Sequence, residues 1–127
     1  MGKRAYRTYK EFTRALVKSR LAHYNAVYGF VIKRIAIKNT KSRWGSCSKK
    51  GNLNFNYRLA LLPTDMADYV IVHELCHLGE FNHSPQFWEL VARAIPEYKI
   101  IKAKFKRYKP AVYVIIGLVT LFNTFGL

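Results

Sequence analysis

The chain has 127 residues, half of them apolar and 15% aromatic, and 22 Lys/Arg against 7 Asp/Glu give it a formal net charge of +15. That length fits one domain with a real core, and the composition excludes a disordered, collagenous or disulfide-stapled chain. Cys47 and Cys76 stand at no metal-finger spacing, and the basic N-terminus precedes no apolar stretch of signal-peptide length, so a reducing, cytoplasmic setting is expected.

Residues 6–24 carry Tyr9, Phe12, Leu16 and Val17 on one stripe, which predicts an amphipathic helix, with a break at 25–29. The run 30–37 (FVIKRIAI) alternates bases with β-branched residues and predicts a strand. Residues 39–52, rich in Lys, Ser and Gly, read as an ordered loop around Trp44. In 53–59, Leu53, Phe55 and Tyr57 face one way and Asn54, Asn56 and Arg58 the other, which is a half-buried strand. The chain turns at Pro63, and Thr64 or Asp65 is placed to cap a helix running to about Leu78. This helix is apolar nearly all round (Met66, Tyr69, Val70, Ile71, Val72, Leu75), so it should be central and buried, and Gly79 is its natural stop. Ser84 caps a further helix with Pro85 at its first position and Phe87, Leu90, Val91 and Ala94 along one side. Pro96 interrupts it, and a very basic helix follows over 97–108.

The central helix carries His73-Glu74-Leu75-Cys76-His77. Residues four apart stack on one helix face, so the two imidazoles can grip one cation, with Glu74 turned far enough aside to act on water rather than bind. Catalytic zinc takes three protein ligands and water, and His83, six residues on and past Gly79, is the best supplier of the third. Two ordinary buried histidines would also suit such a face. A charged Glu in an otherwise apolar helix favours the metal, because burial without a partner is expensive.

The stretches TKSRWGSCSKKGNLNFNYRLALLP and DYVIVHELCHLGEFNHSPQFW closely resemble the YgjP-like, SprT-like zinc metallopeptidase domain, over roughly residues 10–104. The resemblance implies an α+β, minimal zincin-like fold, a small antiparallel sheet packed against a central HExxH helix with flanking helices. It implies one zinc per chain on His73, His77 and His83, Glu74 as catalytic glutamate, and a peptide or protein substrate. The spacing also equals that of metzincins, but Glu80 fills their Gly position and Gly79 comes one place early; Glu80 is the weaker alternative to His83 as ligand. An extended peptide would pair with the edge of the strand 53–59. Arg43, Asn56 and Tyr57 are substrate-binding candidates. The RWGSC segment either shapes the site or is a Trp-anchored turn on the core, the latter preferred, and Cys76 reads as a core residue.

Charge is unevenly placed. Residues 1–58 hold fifteen bases against Glu11, residues 59–98 hold six acids against Arg93, and residues 99–109 add six bases. Bases so grouped are either solvated surface or a site for anions. They keep two other functions open: a metal-dependent nucleotide or phosphoanhydride hydrolase, and a nucleic-acid-binding module, which combined with the first reading gives a DNA-associated protease. The domain is expected over 1–109, with an apolar tail at 110–127. Residues 111–127 carry no charge and would make about 25 Å of helix, the lower limit for a bilayer anchor, though Gly117, Thr120, Asn123 and Thr124 suit an element docked on the domain as well.

Overall fold

The structure is a computed structural model, and it describes residues 2–108. The apolar tail and its reading as a membrane anchor lie outside the described residues. Among those described, no helix is long and apolar enough to cross a membrane.

Helix α1 (Gly2–Tyr28) is longer at both ends than its apolar stripe predicts. Thr13, Val17 and Leu21, four residues apart, are buried, while Lys18 between them is exposed and Arg14 and Arg20 are half-buried. Its contacts tie the fold together: Tyr6 donates to the Ile37 carbonyl (3.1 Å), Thr13 to the Tyr57 carbonyl (2.7 Å), and Arg20 forks onto Asp68 (3.0 and 2.7 Å). The helix ends where Gly29 takes φ +73° and the Asn25 side chain bonds both backbone groups of Phe30.

Three short strands follow: β1 (Arg34–Lys38), β2 (Gly45–Cys47) and β3 (Asn52–Asn56). The order is β1-β3-β2. β3 is parallel to β1 (Ile35 opposite Leu53) and antiparallel to β2 (Gly45 opposite Phe55). The sheet is therefore mixed rather than antiparallel throughout. A tight turn at Ser48–Gly51, with Gly51 at φ +93°, folds β2 and β3 into a hairpin, and β3 inserts beside β1 in the same direction. Residues 30–33 precede the strand predicted there, because pairing starts only where Lys33 reaches Gly51. The strand predicted over 53–59 stops at Asn56 and tightens into a 3-10 helix (Tyr57–Leu61).

Helix α2 (Thr64–Cys76) is buried from Met66 through Cys76 and packs against α1, the sheet and the last helices. Its N-cap is Pro63, with no side-chain cap; Thr64 and Asp65, predicted as caps, are already helical, and Asp65 pairs instead with Lys104. His77 is the C-cap, and single-turn bonds carry the chain to Gly79. A side chain at 79 would meet the Phe30 ring at 2.7 Å and Leu90 at 3.0 Å, so glycine lets the chain pass without displacing them. Helix α3 (Pro85–Ala94) starts as predicted, Ser84 accepting from the Phe87 amide (3.3 Å). Helix α4 (Tyr98–Arg107) buries Ile101 and Phe105, and Phe105 meets Trp44 and Tyr69 in the core.

Candidate metal centre

Helical spacing puts His73 and His77 on one face of α2, ring centroids 4.9 Å apart. The turn through Gly79 brings His83 back over them, at 5.1 Å from His73 and 4.8 Å from His77. One ring nitrogen from each lies within 4.8 Å of the others, a spread that small ring rotations would close onto one ion. Phe87, fully buried, sits under all three rings: it stacks on His77 at 4.4 Å and meets His73 and His83 edge-on at 5.1 Å.

Hydrogen bonds fix which nitrogens face inward. His77 Nδ1 lies 3.1 Å from the Glu80 carbonyl, which can only accept, so Nδ1 carries the proton and Nε2 is left bare. His73 Nδ1 likewise faces the Glu74 carboxylate at 3.3 Å, and its Nε2 meets His83 Nε2 at 3.1 Å. Two facing imine nitrogens repel unless a proton or cation joins them. Burial, with its neighbours His73 and His77, pushes the His83 imidazole down to about 4, and His77 is lowered by burial and His73, so both rings are neutral at pH 7. Three imidazoles converging on one point, His77 and His83 among them kept neutral, fit a zinc ion. Glu80, the alternative ligand, instead contributes its backbone carbonyl to orient His77.

Glu74 is 3% exposed and stands beside the histidines in a cleft of ≈ 280 Å³ lined also by Arg43, Gly45, Ser46, Cys47 and Phe81. Its stem crosses the backbone at Gly45, where an added Cβ would lie 2.9 Å from Glu74 Cγ. The RWGSC segment therefore does both jobs weighed for it: Trp44 is a core anchor, and Gly45–Cys47 form a strand that walls the cleft. Burial and the nearby Glu74 push the Cys47 thiol up to about 12, and burial does the same to Cys76 in the core, so neither is a thiolate.

Of the three substrate-binding candidates, Arg43 is exposed on the cleft, and the other two stand in the core. Asn56 donates to the carbonyls of Thr40 (2.7 Å) and Arg43 (2.9 Å) and so shapes the loop that presents Arg43. Tyr57 packs between Tyr6 and the Arg58 guanidinium. The strand expected to receive a peptide, β3, has partners on both edges, so an added strand has no place there; among the described residues the unpaired edge at the cleft belongs to β2. Sequence reasoning missed Gly45 as the floor under Glu74 and the stacking of Trp88 on His83 at 6.0 Å.

The family model of the YgjP-like metallopeptidase domain matches residues 1–108. Among solved structures, the chain is similar to the metallopeptidase zymogen of Pyrococcus abyssi abylysin, with a TM-score of 0.64 and 25% identity, covering 72% of this chain and 92% of that one. No curated protein matches it.

Proposed function

The chain belongs to the YgjP-like metallopeptidase family and is a peptide-bond hydrolase; from that premise we propose that it holds one zinc ion on His73, His77 and His83 and uses Glu74 as general base. One observation carries the reading: a ring nitrogen from each of three imidazoles converges beside a buried carboxylate. Zinc, when bound, supplies Lewis acidity that makes water nucleophilic near neutral pH and polarises the scissile carbonyl. The Glu80 carbonyl and the Glu74 carboxylate hold the His77 and His73 tautomers that bind it. Glu74 is engaged by His73 through Oε2; its carboxylate takes a proton from water at Oε1 and delivers it to the leaving amine. The outer edge of β2 supplies backbone groups for an extended peptide, and Gly45 keeps that edge close to Glu74. The family match decides the reaction class against a phosphoanhydride hydrolase or a binding module with a structural metal.

The test is zinc content and peptide hydrolysis measured together. Wild type should hold about one zinc, and His83→Ala should lose it or bind it far more weakly. Glu74→Gln should keep the metal and lose about 10²–10⁴-fold in kcat/KM. Hydrolysis by Glu74→Gln at the wild-type rate would remove Glu74 from the role.

A further inference from the structure

A second cavity, ≈ 300 Å³, is lined by Trp88, Tyr98, Lys99, Lys102, Ala103 and Lys106, and Trp88 ties it to the metal centre. Trp88 is the link: it stacks on the ligand His83 at 6.0 Å, stacks on Tyr98 at 5.1 Å and carries the Lys102 ammonium 4.3 Å from its ring centre. Lys99, Lys102 and Lys106 recur at i, i+3 and i+7 and so share one face of α4. Lys104 points elsewhere, to Asp65. Among the described residues, no carboxylate pairs with the three lysines or lines their cavity; Asp65, Asp68 and Glu97 line a different one, beside Tyr24 and Ile101. Burial and its two lysine neighbours lower the pKa of Lys102, the mark of a cation held without its counter-charge.

We propose that Lys102, flanked by Lys99 and Lys106, forms a subsite that binds a carboxylate of the peptide substrate within about three residues of the cleaved bond. The distance follows from the ring contacts. One indole meets both the ammonium and the ligand imidazole, at 4.3 and 6.0 Å, which keeps the two within about 10 Å, and an extended peptide advances about 3.3 Å per residue. The carboxylate comes from an acidic side chain or from the substrate's own C-terminus. A nucleic acid fits less well, because the Trp88 ring is already engaged by His83, Tyr98 and Lys102 and has little face to offer a base. The proposal rests on the metallopeptidase reading and adds to it the substrate class.

The experiment is cleavage of a proteome-derived peptide library by the zinc-loaded wild-type chain, read by mass spectrometry. Asp and Glu should exceed Asn and Gln about tenfold at one position within three residues of the cut, the size of one charged hydrogen bond. Lys102→Met should lose the preference at unchanged zinc content, and Lys102→Arg should keep it. If the preference is instead for cuts near a free C-terminus, and amidating the peptides removes it, the bound carboxylate is the chain terminus. Cleavage with neither preference, or a preference that survives Lys102→Met, overturns the subsite. So does a single-stranded oligonucleotide that binds through Lys102 while cleavage shows no carboxylate preference. Absence of any cleavage by the zinc-loaded chain would instead bring down the hydrolytic mechanism itself.

Discussion

A methyl group added at Gly45 would land 2.9 Å from Glu74 Cγ and 3.0 Å from the Asn54 carbonyl. The carbonyl belongs to the central strand and cannot yield, so the glutamate must. Gly45→Ala should therefore lower kcat by about 10²-fold, the cost of an ångström-scale misplacement, with zinc stoichiometry unchanged; an unaffected kcat would show that the close approach is irrelevant to the base. The histidines make a second residue-scale prediction, on pH. His77 and His83 both titrate below the ordinary 6.5 in the folded chain, His83 at about 4. Between those values the unfolded chain has taken up protons that the folded rings refuse, so stability falls as pH drops through the window and is flat above it. The metal-free chain should unfold at progressively lower urea as pH goes from 7 to 5, and His83→Gln should shrink the slope. A midpoint that rises on acidification would contradict the sign.

Between elements, the clasp of α1 on α2 rests on a single carboxylate. Asp68 accepts both nitrogens of the Arg20 fork and the Tyr24 hydroxyl (2.8 Å), joining residues 44 and 48 positions apart. Asp68→Ala would strand a partly buried guanidinium and a hydroxyl, at a cost of about 2–3 kcal/mol, reduced from the fully buried case because Arg20 reaches solvent. Denaturant unfolding of the variant checks it; a loss under 0.5 kcal/mol would mean the clasp is only surface. Helices of this kind were legible in the sequence because the apolar stripe at Val17 and Leu21, and the Ser84-Pro85 start, report locally what tertiary packing demands. The histidine site was legible for the same reason, since helical spacing alone aligns His73 with His77. The sheet was not. β2 is three residues long, and its Trp44-Gly45 entry is buried because of Phe105 and Glu74, both distant in sequence. Val31, 77% exposed, looks like a strand residue but finds no partner strand among the described residues. That β3 runs parallel to β1 depends on which strand is inserted between which, and period-two alternation carries no such information.

At the scale of the whole molecule, a net charge of +15 is a standing repulsion. Among the described residues the carboxylates Glu11, Asp65 and Asp68 pair with bases, and α1 alone exposes Lys3, Arg4, Arg7 and Lys18. Salt acts on both terms. It weakens the few ion pairs, which at the surface are worth about 0–1 kcal/mol each, and it screens the many like-charge contacts over lengths shortened from about 30 Å at 0.01 M to about 3 Å at 1 M. The repulsive pairs are more numerous and longer-ranged, so screening should stabilise the chain. Its thermal midpoint should rise by several degrees between 0.01 and 0.5 M sodium chloride, since about 1 kcal/mol moves a domain of 60–100 residues by about 4–8 °C. The same screening should raise KM for acidic peptides, because the field that strains the fold also draws anions to the cleft. The two trends are expected to run together along one salt series, followed by scanning calorimetry and by hydrolysis rates. A midpoint that falls with salt would mean that the Arg20–Asp68 and Lys104–Asp65 pairs outweigh the repulsion, and that the basic surface costs the fold nothing.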